Sequence, residues 1–155
     1  MKLLSQRDPS WSSDKLGESS LTLGRFGCTT TCISMLSDYF KCFKSPLELA
    51  HNAALYTKPG NPQGEGLIIW QALSLEKMKF VGRDRQEVAP TILKYMRDPD
   101  KAVILQVNNG AHWVVALRKT LLGNDYVIAD PWDGKKKTLK ATYRNVTGAA
   151  YFSLK

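Results

Sequence analysis

The apolar pattern of this chain changes period once, at Asp98-Pro99-Asp100, and that change constrains the fold more than any other feature. Before it, apolar side chains recur at steps of three and four residues, the spacing of helices with one buried side. After it they form short β-branched runs bounded by turn residues, the pattern of strands. Helices grouped ahead of strands predict an α+β fold with segregated elements, not an alternating parallel α/β sheet. At 155 residues the chain is expected to form one domain, with a helical part over about 28–98 and a sheet part over about 101–155. Hydrophobic residues make up 43% and charged residues 23%, enough apolar material for a core without covalent staples, which excludes general disorder.

The first predicted helix starts at Cys28 and buries Cys32, Ile33, Leu36, Tyr39, Phe40 and Phe43 along one stripe, with Gly24 and Gly27 delivering the chain to it through a tight loop. Ser45-Pro46-Leu47-Glu48 is a capping box with proline at the first helical position, opening a second helix to about Tyr56. Residues 57–66 read as a loop, 67–79 as a third helix and 90–97 as a fourth. Strands are expected at 102–107, 112–118, 126–130, 137–143 and 149–154, in an antiparallel sheet, with a turn at Asn108-Asn109-Gly110.

No apolar run approaches the roughly 20 residues of a membrane helix. The opening MKLLSQRDPSW is too short for the apolar region of a signal peptide, so the expected location is cytoplasmic or phage-associated rather than on the usual export route. Net charge is +8, and the last 25 residues hold six basic side chains against one acidic. Lys135, Lys136 and Lys137 follow the turn-forming Pro131-Trp132-Asp133-Gly134 and read as a solvated loop leading into a strand, or as attraction for an anionic partner such as a cell-envelope polymer. No nucleic-acid motif accompanies them, so a specific nucleic-acid partner is not expected.

Three cysteines are an odd number, so at least one is free and a disulfide framework is not expected. They form no metal site, because Cys28 and Cys32 lack a matching second pair. Cys28 differs from Cys32 and Cys42 in position: a helix N-terminus presents unpaired N–H groups and partial positive charge, which favour thiolate. By itself, a free cysteine is as readily a small core residue. Of the two histidines, His51 falls within a helix with no companion, whereas His112 begins a strand directly after a turn. A hairpin centred near residue 121 sets His112 opposite Asp130, with Val114, Ala116, Tyr126 and Ile128 on the same face. A carboxylate so placed can orient the imidazole while its other nitrogen faces a nucleophile. The uncharged amide of Gln6 suits a developing oxyanion.

The ordered set Gln6-x-Asp8-x-x-Trp11, Leu16-Gly17, Gly27-Cys28-Thr29-Thr30-Thr31, His112-Trp113-Val114-Val115 and Tyr126-Val127-Ile128-Ala129-Asp130-Pro131 resembles the C39-like branch of the papain-like cysteine peptidases over nearly the whole chain. That resemblance implies Cys28 as nucleophile, His112 as general base and acid, Asp130 as orienting group and Gln6 as oxyanion stabiliser. It further implies a helical lobe packed against an antiparallel sheet, an active-site cleft between them and no cofactor. The expected reaction is cleavage of a peptide or isopeptide bond in a polypeptide substrate, with Trp11, Trp113 and Trp132 as candidate cleft walls. Alternatives are a bacterial or phage cell-wall peptide hydrolase and a catalytically silent peptide-binding module of the same fold.

Overall fold

A computed structural model describes residues 1–155. Its elements are α1 (Leu23–Phe26), α2 (Cys28–Tyr39), α3 (Pro46–Ala50), β1 (Met78–Asp84), α4 (Ala89–Arg97), β2 (Lys101–Val107), β3 (His112–Lys119), β4 (Tyr126–Asp130), β5 (Lys135–Thr138), α5 (Leu139–Thr142) and β6 (Gly148–Leu154). The strands form one antiparallel sheet in the order β1-β6-β2-β3-β4-β5. This is the α+β class expected, and no helix is long and apolar enough to cross a membrane.

Alternation along the strands divides the interior in two. In β2, Ala102 and Ile104 join α2, Val115, Ala129 and Phe152 in the larger core, while Val103, Leu105 and Val107 join Ile92 of α4, Ile128, Leu139 and Tyr151 in the smaller one. Helices therefore cover both faces, and α4 and α5 lie across the sheet from α2. The helical region expected over about 28–98 is thus not one layer, since α4 packs on the face opposite α2, and β2 is apolar at nearly every position because it has no wet face.

Three local expectations also change. The 67–79 segment is not a helix; it carries an isolated bridge, a short 3₁₀ turn at Trp70–Ala72 and then β1, which pairs with β6 and so brings part of the helical region into the sheet. Trp70 decides this by tertiary packing, with its ring 5.3 Å from both Phe80 and Trp113. The expected strand at 137–143 starts earlier and ends sooner: β5 covers Lys135–Thr138, and one turn of α5 follows. The second helix ends at Ala50; its capping box forms as predicted, with Ser45 Oγ accepting from Glu48 N–H and the Glu48 carboxylate accepting from Ser45 N–H.

Helix α2 is more enclosed than a one-sided stripe allows. Residues 30–37 are all buried, whereas Tyr39 and Phe43, expected in the stripe, stay partly exposed. Small polar side chains make that burial tolerable because most are hydrogen-bonded: Ser34 Oγ donates to the Lys44 carbonyl at 2.6 Å, Ser37 Oγ donates to the Ser34 carbonyl at 2.6 Å, and Thr30 and Tyr56 hydroxyls meet at 2.8 Å. The result is a rigid central helix whose first residue is Cys28.

Candidate active site

Backbone crowding fixes the start of α2. A Cβ on Gly27 would lie 2.4 Å from the Leu23 carbonyl oxygen, and one on Gly24 would lie 2.8 Å from that of Ser12, so both turns require glycine. Gly27 N–H closes α1 onto Leu23, and Cys28 follows as the first residue of α2. Its own N–H has no partner in the protein and its side chain is half-buried at the mouth of a cleft of about 590 Å³. Cys32 and Cys42 are buried core residues, as expected.

His112 reaches the same place from the other layer. Asn108, Asn109 and Gly110 all hold positive φ in the tight turn between β2 and β3, so the chain reverses sharply and presents His112 at the strand's first position. The β3–β4 register differs from the expected one by two residues: Val115 pairs with Ala129 and Ala116 with Ile128, and the pairing shifts again around Leu117. Up to Ala116 a two-residue offset keeps the side chains on their expected face, so Asp130 lies diagonally across from His112 instead of directly opposite. The contact survives, with His112 Nε2 and Asp130 Oδ1 2.8 Å apart.

Asp130 has no exposed surface and both oxygens are occupied. Oδ1 also accepts the Trp132 N–H at 2.9 Å; Oδ2 accepts the Tyr143 hydroxyl at 2.6 Å and the Lys137 ammonium at 2.9 Å. Burial pushes this carboxyl up, but these donors outweigh it and hold Asp130 well below the usual carboxylate range. The Tyr143 ring also stacks near His112, with centroids 5.4 Å apart. Lys137 and Tyr143 were not expected in the site. Lys137 is not a solvated loop lysine: it bridges Asp130 and Asp133. The four-residue connection 131–134 pairs Asp130 with Lys135, which places Lys137 on Asp130's face one step along, so that turn was the signal that could have found it.

With Nε2 committed to Asp130, the His112 nitrogen left for the thiol is Nδ1. Burial pushes the Cys28 thiol up, but hydrogen bonding and charge from His112, with the Trp113 backbone amide and the Thr29 hydroxyl, bring it below its ordinary value. Burial lowers His112, and its bonds to Asp130 and Cys28, with their charges, carry it up to about 9. Both shifts run toward proton transfer from the Cys28 thiol to the His112 imidazole. Cys32 moves the opposite way, pushed well up by burial and by the charges of Cys28 and Asp130.

Gln6 is held in the cleft wall by its backbone. Its N–H donates to the Pro131 carbonyl at 2.6 Å, Arg7 Nε donates to the Trp132 carbonyl at 2.9 Å, and the Arg7 guanidinium covers the Trp132 ring at 4.3 Å. The Gln6 amide is buried; Nε2 spends one N–H on the Gly24 carbonyl at 3.1 Å and keeps a second, while Oε1 is buried without a partner. Of the three tryptophans, Trp113 and Trp132 line the cleft and Trp11 does not. Trp11 packs against the larger core and donates from Nε1 to the Ser5 carbonyl at 2.8 Å, pinning the segment that carries Gln6. His51 is on the surface, its Nε2 3.2 Å from Asp14.

The remaining cleft wall is mixed: Leu16, Leu21, Phe26, Leu67 and Ile68 are apolar, Thr29, Thr30, Asn108 and Thr142 are polar, and Arg25 adds a cation. No group of three or more metal-ligating side chains occurs in the molecule. The arrangement defines an α+β protein with a cysteine and a histidine lining one cleft and a buried aspartate behind the histidine. The chain matches no protein-family model, no curated protein and no solved structure.

Proposed function

We propose that this protein is a cysteine hydrolase of the C39-like, papain-like kind, cleaving an amide bond in a peptide or polypeptide. The observation that carries this reading is that Cys28, first residue of a buried helix, lines one cleft with a His112 ring whose Nε2 is fixed 2.8 Å from a fully buried carboxylate. A structural cysteine needs neither a raised imidazole beside it nor an unpaired N–H at its own backbone.

The reaction begins from the ion pair. The Cys28 thiolate attacks the carbonyl carbon, forming a C–S bond while the carbonyl π electrons move onto oxygen. The Cys28 N–H and the free Gln6 amide N–H stabilise that oxyanion. His112 gives its proton to the amide nitrogen, the C–N bond breaks and the amine leaves. Water then attacks the thioester with His112 taking its proton, the acid departs, and Cys28 returns to thiolate beside imidazolium. Gln6→Ala removes one oxyanion donor and is expected to lower turnover by roughly 10²–10³-fold. The test of the reading is incubation of the parent protein and its Cys28→Ala variant with a peptide library, followed by mass spectrometry. New termini with the parent alone support it; equal cleavage by both proteins, or none by either, contradicts it.

A further inference from the structure

The apex of the β3–β4 hairpin carries a surface feature that neither the fold nor the cleft explains. Leu121 and Leu122 are 95% and 88% exposed, so no neighbour covers either side chain. The turn that presents them is ordered by its own hydrogen bonds. Thr120 Oγ1 donates to the Leu122 carbonyl at 2.6 Å, Thr120 N–H donates to the Asp125 carbonyl at 2.9 Å, and Asp125 N–H donates back to Thr120 Oγ1 at 3.1 Å. Gly123 and Asn124 supply the positive φ that closes it.

Cations lie beside this apex. A shallow hollow of about 380 Å³ beside it is walled by Leu93, Met96 and Leu121 together with Arg97, Arg118 and Lys119, and no acidic side chain lines it. Lys140 also reaches the apex, donating to the Asn124 carbonyl at 2.9 Å. The neighbouring acids are engaged elsewhere: Asp125 is buried and accepts the Tyr126 and Lys140 backbone N–H groups, and Glu87 accepts the Tyr126 hydroxyl.

We propose that this apex docks the protein on an anionic lipid bilayer, with Leu121 and Leu122 entering the boundary between headgroups and acyl chains and Arg97, Arg118 and Lys119 meeting anionic headgroups. Reversible attachment to a membrane surface takes an apolar insertion together with basic contacts, and this apex supplies both. A protein partner is favoured less. Its interface would present a covered apolar centre with aromatic anchors, whereas two projecting aliphatic side chains with cations beside them suit a fluid interface that reshapes around them. The docking end lies a strand's length, about 23 Å, from His112, so attachment leaves the cleft open. This inference does not depend on the proposed hydrolase activity.

The test is co-sedimentation of the full chain with vesicles of equal parts phosphatidylcholine and phosphatidylglycerol, and with phosphatidylcholine vesicles alone. Binding to the anionic vesicles that weakens with added salt is expected. Leu121→Ser/Leu122→Ser is expected to weaken it by at least about tenfold, and Arg97→Gln/Arg118→Gln by a comparable factor. Both pairs keep the core intact, which circular dichroism checks. Failure to bind anionic vesicles overturns the proposal. So does undiminished binding by the leucine variant, which would assign attachment to another basic surface. Concentration-dependent dimerisation lost in the leucine variant, without vesicle binding, would overturn it in favour of a contact between two copies.

Discussion

At one end of the β3–β4 hairpin four donors converge on the buried Asp130 carboxylate, while at the other two leucines stand almost bare in water. The same two strands supply both ends, so strand propensity explains neither. The Asp130 end is bought with partners from three further places: the 131–134 turn, β5 and Tyr143, the residue that follows α5. A buried charge with every lone pair matched is costly to disturb, whereas an exposed side chain on a self-bonded turn is nearly free to change. On the proposed reading, the densely satisfied end holds geometry for chemistry and the bare end meets a surface outside the chain.

Asp130→Ala should break this contrast most severely. It leaves Lys137, Tyr143 and His112 facing an empty site, and a loss of about 3–5 kcal/mol in chemical denaturation is expected, together with a fall in turnover of at least about 10²-fold. The pH dependence should change as well. Because His112 is raised to about 9, its contribution to stability is complete below its unfolded value of about 6.5 and is lost as pH rises through about 9. Much of that decline in melting temperature should be missing from the Asp130→Ala protein.

Lys137→Met sharpens the comparison on one donor. Removing a charge-assisted bond to a buried carboxylate should cost about 1–3 kcal/mol. With one cation fewer beside Asp130, the imidazolium gains stability, so the alkaline limb of the activity profile should move to higher pH; an unmoved limb would reduce Lys137 to a structural role. At the other end, Leu121→Ser/Leu122→Ser should change stability by less than about 0.5 kcal/mol and leave cleavage in solution unchanged.

The sequence made the core of the site readable because its chemistry sits at element starts and ends. Cys28 follows a glycine at a helix start, His112 follows a turn, and Asp130 precedes the proline that ends a strand, and all three stand at those positions in the fold. The pairing near His112 differs by two because the hairpin turns later than residue 121, and the one-residue shift around Leu117 makes the difference even there, which preserves the face of His112 and Asp130. Lys137 and Tyr143 were not legible because a run of lysines has no apolar period to report where it points, and because both reach Asp130 only across the 131–134 turn. β1 escaped for a tertiary reason: Trp70, spaced plausibly for a helix, is drawn into an aromatic cluster with Phe80, Trp113 and Phe152.

The central claim is that Cys28 is a thiolate held by His112, and the most direct measurement is the pH dependence of its alkylation. The folded parent and a His112→Ala variant would be treated briefly with iodoacetamide across a pH series, with the urea-unfolded chain as reference and mass spectrometry assigning label to Cys28, Cys32 and Cys42. Cys28 in the folded parent is expected to react below the pH range in which the unfolded thiols do, with Cys32 and Cys42 protected, and the variant is expected to lose that low-pH reactivity. A folded Cys28 that reacts only through the ordinary thiol range, or one whose profile is the same without His112, would contradict the claim.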